Sequence, residues 1–294
     1  MQLFTTVSLP TPPIRIEDGD VVFTLGSCFA QNVGEQLQHR MGEDMVCVNP
    51  FGVLYNPVSI HQALALLVSE RHGEEAVKAS VFKGRDGMYH SWLFSGRFSS
   101  KQREICVESI TKSLRQAREM MSRTRLLCIT FGTTRCYRLK EGSRCVVANC
   151  HKELPAVFVE EDPAADALKA EWGTLMKRLS QTFPEMKVCL TVSPYRYRKY
   201  GFHESQLQKS KLLLLADAIE KEFGNAFYFP SYEIMLDELR DYRFYAADML
   251  HPSEQAVQLI TERFAEWVFS DSLKRRSAEN LKLWRQSQHI PISG

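Results

Sequence analysis

The chain lacks an excess of either charge, a long apolar run and paired cysteines, and each absence removes a class of function. Its 37 Lys and Arg stand against 35 Asp and Glu, a formal net charge of +2 over 294 residues. That leaves no basic footprint for nucleic acid and no electrostatic pull toward an anionic membrane. No apolar stretch approaches the roughly 20 residues that cross a bilayer. Met1 to Pro10 carry no basic segment ahead of a signal-like apolar run, so the expected location is cytoplasmic. The eight cysteines include no pair with the CxxC spacing of a structural zinc site. Cys136, Cys145 and Cys150 gather near His151, the one place where a metal has to be weighed, and reduced thiols are the simpler reading. Cys28, Cys47, Cys128 and Cys189 fall in or beside predicted strands, where a thiol behaves as a small buried hydrophobe. There is no internal repeat and no low-complexity segment.

With 44% hydrophobic and 24% charged residues, the composition is that of an ordinary globular protein, and one domain over 1–294 is the simplest organisation. Residues 1–18, with Pro10, Pro12 and Pro13, read as an extended surface arm. Short apolar runs at 20–25, 45–48, 126–131, 187–192 and 226–229 predict strands. Helical periodicity marks 27–41, 56–68, 108–123, 163–182, 204–223 and 254–269. Two stretches break this alternation. Residues 79–106 carry alternating Trp92, Phe94 and Phe98 with Gly84, Gly87 and Gly96, which is hairpin chemistry, and residues 135–160 form a second, irregular insertion. A charged tail over 271–294 predicts a final exposed helix. Strands alternating with helices give an α/β fold, a doubly wound three-layer α/β/α domain on a mainly parallel sheet. Ligands bind such sheets beyond the carboxyl ends of the strands, where strand order reverses. With flavodoxin-like order, Ser27 after the first strand and Gly132 to Thr134 after the third line one cleft.

Ser27 lies on a tight strand-to-helix turn, where its hydroxyl is expected to be exposed. A hydroxyl is a poor nucleophile until an imidazole takes its proton, and the imidazole needs a carboxylate to fix its tautomer. Asp248 and His251 offer both groups from one loop at the entrance to a helix. The plain alternative for Ser27 is an N-cap, worth about 1 kcal/mol. Cys28 is the rival nucleophile, but one step along the turn it is expected to point into the helix–sheet packing.

Gly26-Ser27-Cys28-Phe29-Ala30 resembles the signature of the GSCFA family, grouped with the SGNH (GDSL-like) hydrolases. Further segments are similar to the family in the right order: 49–57 (Asn49 to Pro57), Phe131-Gly132-Thr133-Thr134, Ala148 to Lys152, Ser193 to Arg196, the stretch from His203-Glu204 to Lys209, and Tyr242 to His251. The resemblance runs from about residue 23 to about 260 and implies an SGNH-type sheet, with Ser27, His251 and Asp248 as the catalytic triad. It also implies that the Ser27 and Gly52 N–H groups hold the oxyanion. The third SGNH block is Gly-x-Asn, whereas this chain has Gly132-Thr133-Thr134. The third donor is therefore open between Thr134 and a neighbouring asparagine, Asn49, Asn56 or Asn149.

Arg196, with Arg135 and Arg138 near it, is a candidate to fork onto a substrate carboxylate or phosphate; solvated loop charges are the alternative. His151 is a candidate substrate contact, with a buried, hydrogen-bonded histidine as the alternative. Lys209 is expected to pair with a helix carboxylate. Two functional readings follow. One is a cofactor-free serine hydrolase acting on a small-molecule or carbohydrate acyl ester, such as an O-acetyl group, or an acyltransferase using the same triad. The other is a binding protein that keeps the scaffold without catalysis.

Overall fold

The computed structural model describes residues 5–69, 73–142 and 145–288. Parts of the expected arm (1–4), second insertion (143–144) and tail (289–294) lie outside the described residues. In chain order, β1 (Val21–Gly26) leads into α1 (Cys28–Met41), and β2 (Val46–Val48) into α2 (Pro57–Leu67) and α3 (Gly73–Ala79). A hairpin of β3 (Val81–Lys83) and β4 (Tyr89–Ser91) precedes α4 (Arg103–Ser122) and β5 (Thr124–Phe131). A second hairpin, β6 (Cys136–Leu139) with β7 (Phe158–Glu161), precedes α5 (Ala165–Thr182) and β8 (Lys187–Val192). The chain ends with α6 (Phe202–Glu222), β9 (Ala226–Tyr228), the single turn α7 (Ser231–Glu233), α8 (Glu254–Val268) and α9 (Asp271–Gln288).

The central sheet has the order β2-β1-β5-β8-β9 and every pairing in it is parallel. Counting only its own strands, this is the flavodoxin-like order 2-1-3-4-5. Both faces are covered, which is why its strands read as continuous apolar runs. Successive side chains point to opposite faces. Phe23, Leu25, Leu127, Ile129, Leu190 and Val192 join one core with residues of α2 to α6, among them Leu64, Leu114, Trp172 and Leu212. Val22, Leu126 and Cys189 join the other with Phe29 and Leu37 of α1 and Ile260 and Phe264 of α8. The result is a three-layer α/β/α fold. Both insertions are antiparallel hairpins, so the second carries regular structure that its irregular sequence hides. The charged tail helix α9 lies on α1, where the Trp284 ring stacks on His39 at 4.0 Å.

The arm departs from a purely surface position. Ile14 and Ile16 are buried, and Ile16 is clamped between Val268 and Ser270 by Ile16 N–H to Val268 O at 2.8 Å and Ser270 N–H to Ile16 O at 3.0 Å. Extended backbone puts residues two apart on one face, and here that face is apolar. Among the described residues no helix is long and apolar enough to cross a membrane, and no group of three or more His, Cys, Asp or Glu could hold a metal ion.

Strand order reverses at β1 and β5, whose carboxyl ends lie close together. Gly26, paired with Thr130, has φ +145°, and a Cβ built on it would fall 2.2 Å from Thr130 O. A side chain there strains the backbone and forces the two strands apart. Gly26→Ala should therefore destabilise the protein by about 2 kcal/mol or more. The exposed Gly224, with open space around its Cα, should tolerate Ala nearly neutrally. Urea unfolding of the two variants checks this.

Candidate active site

The serine turn is held from beneath by a buried side chain. Asn49, itself buried with φ +41°, accepts the Gly26 N–H on Oδ1 at 2.8 Å, while its own N–H donates to Thr24 O. This fixes Ser27 at the N-cap position of α1, in extended conformation. The side chain, however, makes no cap hydrogen bond. Its Oγ is buried and has no hydrogen-bond partner. The capping role that sequence position suggests is thus not the role taken. Nor is the hydroxyl exposed: Ser27 is 1% accessible, with Gly132 packed against it. A Cβ on Gly132 would lie 2.9 Å from Tyr55 O and 3.5 Å from Ser27 Cβ, so the close approach needs a glycine. Ser27 lies at the wall of a cavity of about 380 Å³ that His251 also lines.

The His251 loop is a self-contained turn. Asp248 Oδ1 accepts the N–H groups of Leu250 and His251, each at 2.9 Å, and Oδ2 lies 2.6 Å from His251 Nδ1. Met249, with φ +60°, closes the turn. These hydrogen bonds, the His251 N–H and ring first, hold the Asp248 carboxyl down at about 2. An ionised carboxylate on Nδ1 fixes the tautomer with the proton on Nδ1, which leaves Nε2 as the acceptor. The Tyr195 ring packs on the imidazole with centroids 4.3 Å apart, and Arg196 N–H to Leu250 O at 3.0 Å ties the two loops. The structure thus gathers Ser27, His251 and Asp248 at the carboxyl end of the sheet. The expected Ser27–His251 hydrogen bond is not formed, for Ser27 Oγ has no partner. Catalytic hydrogen bonds commonly tighten only when substrate binds.

The oxyanion assignments need correcting. Gly52 N–H donates to Asn49 O at 2.7 Å inside its own turn, and its Cα faces Ser95 rather than the cavity. Thr134 is buried and its hydroxyl donates to Asp162 Oδ1 at 2.6 Å. Ser27 N–H makes a long bond, 3.3 Å, to Thr130 O. All three groups are engaged by local partners. Asn49 is also outside the cavity, its amide being spent on the serine turn and on Gln31. Asn56 and Asn149 do line it. Asn56 Oδ1 accepts Ser59 N–H at 2.8 Å as the cap of α2, which turns its NH₂ away from that helix. Asn149 Oδ1 accepts His151 N–H at 2.7 Å and orients its amide in the same way.

The remaining candidates divide. Arg196 is not a wall of the cavity: its guanidinium lies over the Phe202 ring at 4.4 Å and 6.0 Å from the Tyr245 ring. His151 is likewise outside, donating from Nε2 to Ser91 O at 2.8 Å and packing on His90 at 4.5 Å between the two insertions. Burial, chiefly, pushes its pKa down. The arginine that does line the cavity is Arg135, paired with Glu204 at 2.8 Å and Glu160 at 3.5 Å. Cys28 also lines it, rather than pointing into the helix packing, and burial pushes its thiol up, away from the reactive thiolate. Lys209 does not pair with a helix carboxylate among the described residues; its Nζ donates to Gly132 O at 2.7 Å and Ser193 O at 2.6 Å. Sequence reasoning missed the tyrosines of the wall, Tyr55, Tyr195 and Tyr197 among them. Tyr55 and Tyr195 stand inside the very segments that hold Asn56 and Arg196, and Tyr197 follows directly after.

No curated protein matches this chain. The model of the GSCFA family matches residues 21–264, from the start of β1 into α8, a span that holds Ser27, Asn56, Lys209, Asp248 and His251. The match covers well over half of the sequence, and the chain belongs to the GSCFA family.

Proposed function

We propose that this protein is a serine esterase of the SGNH type that cleaves a small acyl ester. One observation carries the reading. The side-chain hydroxyl of a serine at a helix N-cap makes neither a cap nor any other hydrogen bond, and that serine shares a cavity with a histidine whose Nδ1 is held by an ionised aspartate. Buried polar groups are almost always bonded; one left open at a cavity wall is placed for a ligand.

In this mechanism Ser27 Oγ attacks the ester carbonyl carbon while His251 Nε2 takes the hydroxyl proton. The carbonyl π pair moves onto oxygen, and the Asn56 amide, with Asn149 the alternative, donates to the resulting oxyanion. Collapse expels the alcohol, which receives the proton from His251. Water then attacks the acyl-serine with His251 again as base, releasing the carboxylic acid and restoring Ser27. An alcohol in place of water makes the same site an acyltransferase. Asp248 stabilises the imidazolium in each step. Tyr55, Tyr137, Tyr195 and Tyr197 line the cavity, and such rings offer faces to a sugar, which favours an O-acetyl group on a carbohydrate. The enzyme in this reading works in the cytoplasm and needs no cofactor. The second reading, a binding protein on the same scaffold, draws on the unformed Ser27–His251 hydrogen bond and the occupied Gly52 donor.

Fluorophosphonate labelling separates the two. Wild type and Cys28→Ala should be labelled and Ser27→Ala should not; an unlabelled wild type leaves the binding reading. For the oxyanion, Asn56→Ala should lower the acylation rate about 10²-fold or more, while Thr134→Val, which removes a group bonded to Asp162, should leave the rate near wild type. p-Nitrophenyl acetate kinetics read both.

Asp248 supplies a pH test with a definite sign. Its folded carboxyl is depressed from 3.8 to about 2, so the stability that it contributes is complete above the ordinary carboxyl range and is lost as pH falls through that interval. Carboxyl ¹³C titration should place the Asp248 midpoint near 2, and Asp248→Asn should lose less stability than wild type over the same acid range.

A further inference from the structure

We infer that Lys209 is a positioning residue: its side-chain nitrogen clips the loop beneath the nucleophile to the loop beside the base and so sets their separation. The inference rests on the esterase reading above. Lys209 lies on α6 and is 2% exposed, yet among the described residues it has no carboxylate partner. A buried cation without a counter-ion is costly, and an apolar side chain of the same shape would serve stability better. What Lys209 does instead is join two backbone carbonyls at the carboxyl edge of the sheet.

The two carbonyls lead to opposite halves of the site. Gly132 O belongs to the residue after β5, whose Cα lies against Ser27 and whose N–H is bonded to Tyr55 O at 2.8 Å. Ser193 O belongs to the residue after β8, and two residues on Tyr195 packs against the His251 ring. Arg196 N–H then holds Leu250 O, next to His251. A continuous path thus runs from Ser27 through Gly132, Lys209, Ser193 and Tyr195 to His251. Ser193 N–H to Phe131 O at 2.8 Å already joins these neighbouring strand ends through the backbone, and Lys209 adds a side-chain link one residue further on, at Gly132 O. Two other groups face the ammonium: the Cys28 thiol at the start of α1, whose thiolate the cation favours, and the Tyr232 ring of α7, 5.8 Å from Nζ. Burial brings the ammonium down to about 7, so the clip changes charge in the working range of an imidazole base. A neutral amine still has the two hydrogens that the carbonyls use.

Lys209→Met keeps length and apolar bulk but removes the donors. The variant should melt at or above the wild-type temperature, while its fluorophosphonate labelling rate and kcat fall about 10²-fold with KM little changed. Lys209→Gln, which keeps two donors on a shorter chain, should retain more activity, with kcat about tenfold below wild type. A folded Met variant that labels and turns over like wild type overturns the inference. So does a Met variant whose activity falls only in step with its folded fraction. If Met does not fold, a folded Gln variant with wild-type kcat and pH profile overturns it. A readout independent of esterase activity is the rate of iodoacetamide alkylation of Cys28 at one fixed pH, followed by mass spectrometry with Cys28→Ala as control. Cys28 lines the cavity beside Gly132, so releasing the Gly132 carbonyl in Lys209→Met should change that rate severalfold, and an unchanged rate removes Lys209 from the site. A wild type that resists the fluorophosphonate, together with a changed alkylation rate in Lys209→Met, sinks the esterase reading and leaves the Lys209 contact standing; no labelling and no change in rate sink both.

Discussion

At the carboxyl ends of β1 and β5 the two backbones run too close for any side chain to stand between them, and the geometry of the site follows from that contact. The 2.2 Å that a Gly26 Cβ would leave to Thr130 O brings the ends of two parallel strands together at the point where strand order reverses. Here the approach places Ser27 against Gly132, a second residue without a side chain, and starts α1 directly behind the serine. Asn49 completes the arrangement by taking the Gly26 N–H that the sheet cannot use. Ser27 is set by backbone contact and by one amide on the preceding residue, with no side chain bonded to its hydroxyl.

The other half of the site is built on a different principle. Asp248 accepts two backbone N–H groups with one oxygen and the imidazole with the other, so the loop carries its geometry within four residues. The same hydrogen bonds lower its carboxyl pKa, and that keeps a charged partner beside the ring near neutral pH. Local closure of this kind needs no buried core around it, and both side chains are indeed half-open to solvent. The serine half is rigid because it is buried; the histidine half is rigid because it is hydrogen-bonded to itself. Joining them falls to Tyr195, to the Arg196–Leu250 backbone bond and to the buried Lys209.

This division explains what the sequence made legible. The sheet strands could be read because burial on both faces makes them uniformly apolar, and the Asp248–His251 turn because its partners are three residues apart. Ser27 could be placed by the strand before it and the helix after it. The oxyanion donors could not be read. Whether Gly52 N–H is available depends on Asn49 O, and whether the Thr134 hydroxyl is available depends on Asp162, residues brought together by turns and insertions that leave no periodic signal. Cys28 and Arg196 misled for a related reason: position after a strand end fixes the height of a residue on the sheet, not the direction of its side chain. The burial of Ile14 and Ile16 was written in their spacing of two, although the prolines before them pointed to an arm lying outside.

Three polar groups at or near the cavity are buried without full satisfaction: Ser27 Oγ, Arg135 Nε and a lysine with two carbonyls and no counter-ion. A core selected for stability alone removes such groups, since each lost hydrogen bond in low dielectric is expensive. Their concentration at the carboxyl edge of one sheet, where Gly26 and Gly132 also surrender side-chain packing, marks the region in which stability has been exchanged for geometry. The Arg135 guanidinium, already held by Glu204 and Glu160 and stacked 4.1 Å from the Tyr200 ring, brings charge to the cavity without bringing a free charge. A wall of that kind offers donors and ring faces while its one lining arginine is neutralised by two carboxylates, which accords with the neutral ester proposed above.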